Sequence, residues 1–295
     1  MYEIELPQRP KTHVQWILGN RCNYKCSYCH EMFRMGDRAF LTEEALLETC
    51  KDIIYHFDDL GRDVVFEFIG GEPTLFGRIS EIGKRLSNHP TNIVLKTNGS
   101  ADLDWWRESK PFLGKVIISA HKEFCDIDHL MRVVELLQDD TDSYPTPVEV
   151  LFPVTNRTES WNWGMKNLRL FRSKYGVGDI QLLYSNFARG SNMFLPYRKE
   201  MWDEYNQLYN IKPEVISPTP VVMRDQPIFT GRRCYAGIDT LTIDADGNVR
   251  RGWCGEDGLV GNIYELPVAW PTDPIICQKA ICGNGFDQQA RKESI

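Results

Sequence analysis

Between residues 13 and 184, short apolar runs alternate with amphipathic stretches about every 30 residues, and this alternation constrains the fold more than any other feature. His13–Leu18, Val64–Ile69, Asn92–Lys96, Lys115–Ala120, Pro147–Val154 and Asp179–Tyr184 read as strands. Between them, Thr42–Phe57, Leu75–Leu86, Asp102–Lys110, Ile127–Leu137 and Trp161–Tyr175 read as helices. Neighbouring parallel strands need a long crossover, and a helix supplies it, so the pattern predicts a parallel sheet. Glycines and polar residues cluster just after the strands, at the edge where active sites of α/β proteins lie.

The pattern changes near residue 186. Tyr197–Tyr209 has helical spacing, and Leu241–Arg250 reads as a hairpin turning at Asp246-Gly247. Expected boundaries are therefore an α/β domain over 1–190, a bridging segment over 191–230 and a small cysteine-rich unit over 231–295. Net charge is −7 with a pI near 5.5, which argues against broad binding to a nucleic-acid backbone. No run reaches the ~20 apolar residues of a membrane helix. The first residues lack the basic and apolar regions of a signal peptide. A cytoplasmic chain is expected, with reduced thiols. Nine cysteines there point to metal or redox chemistry rather than disulfides.

Three of those cysteines, Cys22, Cys26 and Cys29, follow the first strand with spacing C-x₃-C-x₂-C, and Tyr28 precedes the third. Thiolates are soft ligands suited to iron–sulfur clusters or zinc. Three ligands leave one position of a four-ligand centre open. Half of a zinc site, or three buried thiols, are the other readings. A polar loop without apolar periodicity disfavours burial, and zinc sites usually carry a matching pair. Gly70-Gly71-Glu72-Pro73 follows the second strand, where glycines permit close backbone approach. Thr97-Asn98-Gly99 follows the third strand, and Ser119-Ala120-His121 closes the fourth. A second group, Cys234, Cys254, Cys277 and Cys282, brackets the hairpin and can hold zinc or a cluster. Cys50 falls on a helix stripe and reads as core.

The cysteine string together with the Gly-Gly-Glu motif resembles the signature of the radical SAM superfamily. The resemblance implies a partial (β/α)6 TIM-like barrel followed by a small α+β cysteine-rich domain with a β-hairpin. It implies that Cys22, Cys26 and Cys29 hold a 4Fe–4S cluster whose open iron binds S-adenosylmethionine (SAM). Tyr28, Gly70, Gly71, Glu72, Pro73, Asn98, Ser119, Asn156, Leu183 and Tyr184 are the matching SAM-contact positions. The tail resembles the twitch form of the SPASM domain, which implies an auxiliary 4Fe–4S cluster on Cys234, Cys254, Cys277 and Cys282. The expected reaction is reductive cleavage of SAM to a 5′-deoxyadenosyl radical that abstracts hydrogen from substrate, with an oxidative outcome.

A peptide or amino-acid side chain is the favoured substrate, with cross-linking or dehydrogenation as the result. A dehydrogenase, isomerase or epimerase acting on a small aminosugar, nucleoside or amino-acid derivative is the second reading. From another class, a zinc- or cluster-stabilised binding module without catalysis would use the same thiols. Expected partners are a flavodoxin or ferredoxin electron donor and, for a peptide substrate, a separate leader-binding protein. His121, Lys122 and Cys125 are candidates for proton or radical chemistry near the reaction face.

Overall fold

The computed structural model describes residues 9–38, 41–89, 91–141, 145–183, 194–210, 228–265 and 268–295. Six parallel strands form as the apolar pattern predicts: β1 (Lys11–Ile17), β2 (Asp63–Ile69), β3 (Thr91–Thr97), β4 (Lys115–Ser119), β5 (Val148–Val154) and β6 (Asp179–Leu182). They lie side by side in chain order, each paired in parallel with the next. The helices between them are α1 (Glu43–Asp59), α2 (Ile79–Leu86), α3 (Leu103–Ser109), α4 (Ile127–Gln138) and α5 (Thr158–Tyr175). A bridging helix, α6 (Lys199–Leu208), follows.

Helix starts are set by side-chain caps. Thr42 accepts from the Ala45 amide, Asp102 from that of Trp105, and Asp126 from those of Asp128 and His129. The stripe Leu46, Leu47, Cys50, Ile53, Ile54 and Phe57 of α1 is fully buried, Cys50 included. Each large member contributes about 1.5–3 kcal/mol by leaving water. One expectation is corrected: Leu75–Leu86 is not a single helix. A 3₁₀ turn over Pro73–Phe76 stops at Gly77, whose φ of 70° is left-handed, and α2 starts at Ile79.

Side chains alternate across the sheet. Val14, Trp16, Phe66, Phe68, Ile93, Leu95, Val116, Ile118, Val150 and Phe152 belong to the buried core shared with the helices. The opposite face is mixed. It carries His13 and Gln15 from β1, Glu67 from β2, Lys96 from β3 and Ser119 from β4. A parallel sheet covered on both sides would read as continuously apolar. These polar residues mark a face reserved for something else.

The hairpin joins this same sheet. β7 (Arg233–Cys234) precedes β8 (Thr240–Ile243), β9 (Asn248–Arg250) and β10 (Gly261–Asn262). β8 pairs in parallel with β1, and β9 and β10 continue antiparallel to give a nine-stranded sheet. The turn holds Gly247 at φ 79°, with the Asp244 carboxylate accepting from the Asp246 and Asn248 amides. A second sheet, in the order β11 (Ile275–Ile276), β7, β12 (Lys292–Glu293), carries the late cysteines. Among the described residues 228–295 the one helical element is a 3₁₀ turn over Asp287–Gln289.

A buried ion pair locks the two parts together. Arg62, just before β2, meets Asp239, just before β8, at 2.9 Å, with side chains 7% and 8% exposed. Arg62 also donates to Thr12, whose hydroxyl donates to the Ile238 carbonyl. Arg291 donates its backbone amide and its guanidinium to the same Asp239 carboxylate. Removing one partner of a buried pair leaves an uncompensated charge. Asp239→Ala is therefore expected to lower stability by about 3–5 kcal/mol in denaturant unfolding, well beyond what an exposed pair such as Lys199–Asp203 contributes.

Candidate functional site

Loops from β2, β3 and β4 converge on the cysteine loop that follows β1. Gly70 and Gly71 make the first contact. A Cβ on Gly70 would sit 2.4 Å from the Gly19 carbonyl oxygen, and one on Gly71 2.3 Å from that of Arg21. The close approach lets the Gly71 amide donate to Gly19 and the Glu72 amide to Arg21. The glycines are thus required by backbone contact with the cysteine loop, and Gly70 also takes a φ of 148°.

Glu72 faces inward. It is 0% exposed, and Oε1 accepts from the Thr74 amide and hydroxyl and from the Thr97 hydroxyl. Oε2 accepts from the Asn98 amide at 2.6 Å. Burial pushes this carboxyl above the usual range, and the donated hydrogen bonds pull it back. Pro73 starts the 3₁₀ turn and is buried. From β3, Asn98 donates to Asn23, and Asn23 donates to Ser100.

The turn after β4 makes the third contact. Tyr28 hydroxyl and His121 Nδ1 are 2.9 Å apart, Tyr24 stacks on Phe124, and Glu123 accepts from Ser27. Burial holds His121 down at about 4, against the opposing pull of Glu123. Within the loop, the Cys29 amide donates to the Cys26 carbonyl, and the Tyr24 amide donates to Cys22 Sγ at 3.3 Å. Cys26 is buried, with Cys22 and Cys29 partly so, and all three are reduced. Burial raises all three thiols, Cys26 to about 12, and Cys26 also feels Cys29 and Cys22.

Ser119 stands at the end of β4, and Lys122 lies in the following turn. Cys125 donates its amide to His121 and borders a cavity of about 300 Å³ with Tyr24, Asn98, Ser100 and His129. Asn156 is turned to the Pro196 carbonyl at 3.3 Å, and the Leu183 amide donates to the Tyr197 hydroxyl. Both therefore meet the bridging segment. Tyr184 lies outside the described residues.

The other four thiols form a second group. Cys234 sits on β7 opposite Ile275 and Lys292, Cys277 follows β11, and Cys254 follows the hairpin. Cys234, Cys277 and Cys282 are buried. Asp287 lies among them, 3% exposed. Its Oδ1 accepts from the Trp253 amide, and its Oδ2 has no protein partner. Burial raises the Cys234, Cys254 and Cys282 thiols, with Asp287 pushing each further. Among the described residues no three His, Cys, Asp or Glu converge tightly enough for a single metal ion. A cluster takes one thiolate per iron and sets its ligands further apart. Four thiols gathered with an orphaned buried carboxylate oxygen are a donor set that such a cluster would fit.

A polar chain on the inner face runs from this second group toward the first. Trp253, next to Cys254, donates its indole N–H to Gln15 at 2.6 Å. Gln15 donates to Glu67, and Lys96 pairs with the same Glu67 oxygen at 2.6 Å. Sequence reasoning passed over Gln15, Glu67, Lys96, Trp253, Glu123 and Asp287. The available signal was Glu67, a charge between Phe66 and Phe68 in a strand whose other neighbours are apolar.

The class is thus an α/β protein whose thiol-bearing loop lies at the C-terminal edge of a parallel sheet and is braced by the next three strand ends. Residues 16–121 match the family model of the Radical SAM superfamily. The chain carries a radical SAM domain over these residues, which marks it as an enzyme and implies a 4Fe–4S cluster and SAM. A "Probable GTP 3′,8-cyclase" of Thermococcus kodakarensis is 30% identical over 165 residues, covering 52% of each chain. One of Pyrococcus horikoshii is 34% identical over 92 residues, 31% of this chain and 28% of that protein. The chain thus spans at most about half the length of these curated relatives.

The fold is similar to native anSMEcpe with bound AdoMet and Kp18Cys peptide: TM-score 0.54, 17% identity, covering 87% of this chain and 79% of that one. It is also similar to Streptococcus suis SuiB bound to precursor peptide SuiA: TM-score 0.56, 13% identity, covering 88% and 63%. No helix among the described residues is long and apolar enough to cross a membrane.

The low His121 value has a consequence for pH. The unfolded imidazole takes up a proton near 6.5, while the folded one stays neutral down to about 4. Stability should therefore fall as pH drops through 6.5 toward 4, by about 2 kcal/mol between pH 7 and 5. Thermal melts at the two pH values measure this, and His121→Gln should flatten the difference.

Proposed function

We propose that this enzyme uses two cysteine-held clusters to oxidise a substrate seated on the polar inner face of the sheet. Cys22, Cys26 and Cys29 hold the SAM-binding cluster; Cys234, Cys254, Cys277 and Cys282 hold an auxiliary one. When bound, the first cluster with SAM supplies a 5′-deoxyadenosyl radical for hydrogen-atom abstraction from substrate. The chain's own part is to place and shield. The Gly70-Gly71 strip and Asn98 fix the cysteine loop and leave the strand ends open toward SAM. Gln15, Glu67 and Lys96 offer charge and hydrogen bonds to a polar substrate.

The observation that carries this reading is the joint between the two thiol groups. β8 pairs with β1, and Trp253, next to Cys254, reaches Gln15, so the segment bearing the second thiol group is joined to the sheet whose first loop bears the other. A metal centre would also stabilise the thiol-bearing part of the cysteine-rich segment. Its hairpin buries Leu241, Ile243 and Val249 in the main core, but around the thiols the buried cluster is Cys234, Ala236, Cys277 and Ala290, with Phe229 and Ile275 packed on it. The part around the thiols has so small a core that a metal staple would add to its stability.

A peptide or amino-acid side chain is the favoured substrate class. The solved structures that share this fold over nearly the whole chain include two with bound peptides. A nucleotide is the second reading, supported by the 30% identity to a probable GTP 3′,8-cyclase. GTP is thus a direct probe. A GTP-derived product by mass spectrometry supports the nucleotide reading, whereas GTP inert beside active SAM cleavage supports the peptide reading.

Anaerobic reconstitution tests the whole proposal. About eight irons per chain and 5′-deoxyadenosine under dithionite are expected. Stable zinc without 5′-deoxyadenosine would instead leave a non-catalytic module. Cys26→Ala should abolish 5′-deoxyadenosine formation. Cys282→Ala should lose about four irons while keeping substrate-independent SAM cleavage.

A further inference from the structure

The turn after β4 does more than end a strand. It is closed by the Phe124 and Cys125 amides donating to the His121 carbonyl, at 3.0 and 2.8 Å. That closure presents His121, Glu123 and Phe124 together to the cysteine loop. His121 meets Tyr28, and Phe124 stacks on Tyr24 at 5.2 Å between centroids and 24° between planes. Between them, both Glu123 carboxylate oxygens engage one residue. Oε2 accepts the Ser27 amide at 2.8 Å, and Oε1 accepts the Ser27 hydroxyl at 2.5 Å. Ser27 lies between Cys26 and Cys29.

We propose that Glu123 is a positioning residue for the Cys22/Cys26/Cys29 loop: its two-point hold on Ser27 fixes the loop, and its charge lowers the reduction potential of the cluster bound there. The inference rests on the radical SAM reading of these thiols. Two effects have the same sign. Amide N–H groups aimed at cluster sulfurs raise a potential, and Glu123 turns the Ser27 N–H away from them. A carboxylate beside the loop also disfavours an added electron. Both partners are exposed, so the Coulomb part is screened by salt and is modest. The hydrogen-bonded hold does not depend on salt. Outer partners that orient a metal's ligands matter nearly as much as the ligands themselves.

The chain carrying Glu123→Gln or Glu123→Ala tests both parts. Gln keeps the shape and removes the charge; Ala removes the hold. In the cluster-free chain, hydrogen exchange of the Ser27 amide should quicken about tenfold in Glu123→Ala, with the core strands unchanged. In reconstituted protein, the signal perturbed by SAM is followed by EPR against potential. Glu123→Gln should raise the reduced-to-oxidised ratio at fixed potential about threefold, about 28 mV at 59 mV per decade. High salt should shrink that shift. Unchanged Ser27 exchange in Glu123→Ala would overturn the hold, and an unmoved midpoint in Glu123→Gln would overturn the charge role. If wild-type protein gains no cluster, the radical SAM reading fails, while the exchange measurement still decides the hold.

Discussion

The Glu72 carboxylate is the constraint on which the reaction edge of the sheet depends. It is fully buried, and its donors come from two loops: Thr74 in its own and Thr97 and Asn98 at the end of β3. A buried carboxylate is tolerated when its oxygens are satisfied. Here that requirement ties the β2 and β3 ends together. The same β2 loop presses Gly70 and Gly71 on Gly19 and Arg21, and the β3 loop reaches Asn23 through Asn98. The cysteine loop thus has no independent conformation. Its position follows from neighbours that are themselves locked by one acid.

This accounts for the residue types of the Gly-Gly-Glu-Pro string. Glycine is needed because any side chain would collide with backbone. The acid is needed because two amides and two hydroxyls at the strand ends donate to it. Proline suits the first position of a 3₁₀ turn, where no amide hydrogen is required. Whatever Glu72 offers a ligand, its side chain already has a role within the protein. Its carboxylate organises the groups that stand at the edge.

Much of this was legible from sequence, because periodicity reports which face of an element is buried. The strands and helices through residue 182 lie close to where apolar spacing puts them, and the caps Thr42, Asp102 and Asp126 open their helices. The break in Leu75–Leu86 was less legible. Its apolar spacing survives the interruption, and only Gly77 marks the stop. The parallel seating of β8 on β1 was illegible, since these strands are 223 residues apart from Ile17 to Thr240 and nothing local encodes the pairing. Glu123 was hidden for the same reason. An exposed acid in a turn looks ordinary until the fold brings Ser27 to it.

The seating of β8 on β1 decides what the polar face is for. Without it, Gln15 and Glu67 would sit at the open edge of a parallel sheet, and their burial would have no cover. With it, the hairpin brings Trp253 over Gln15, and the chain continues directly to Cys254. The Arg62–Asp239 pair fixes the opposite, N-terminal end of the same joint, with Arg291 adding the strand that carries Lys292 beside the thiols. The second thiol group is therefore held to the sheet at both ends of β8. On the proposed two-cluster reading, the polar residues of this face, joined from Trp253 through Gln15 and Glu67 to Lys96, are the groups a substrate there would meet. On that reading selectivity would lie in Gln15, Glu67 and Lys96, and the cysteine motifs would fix only the chemistry.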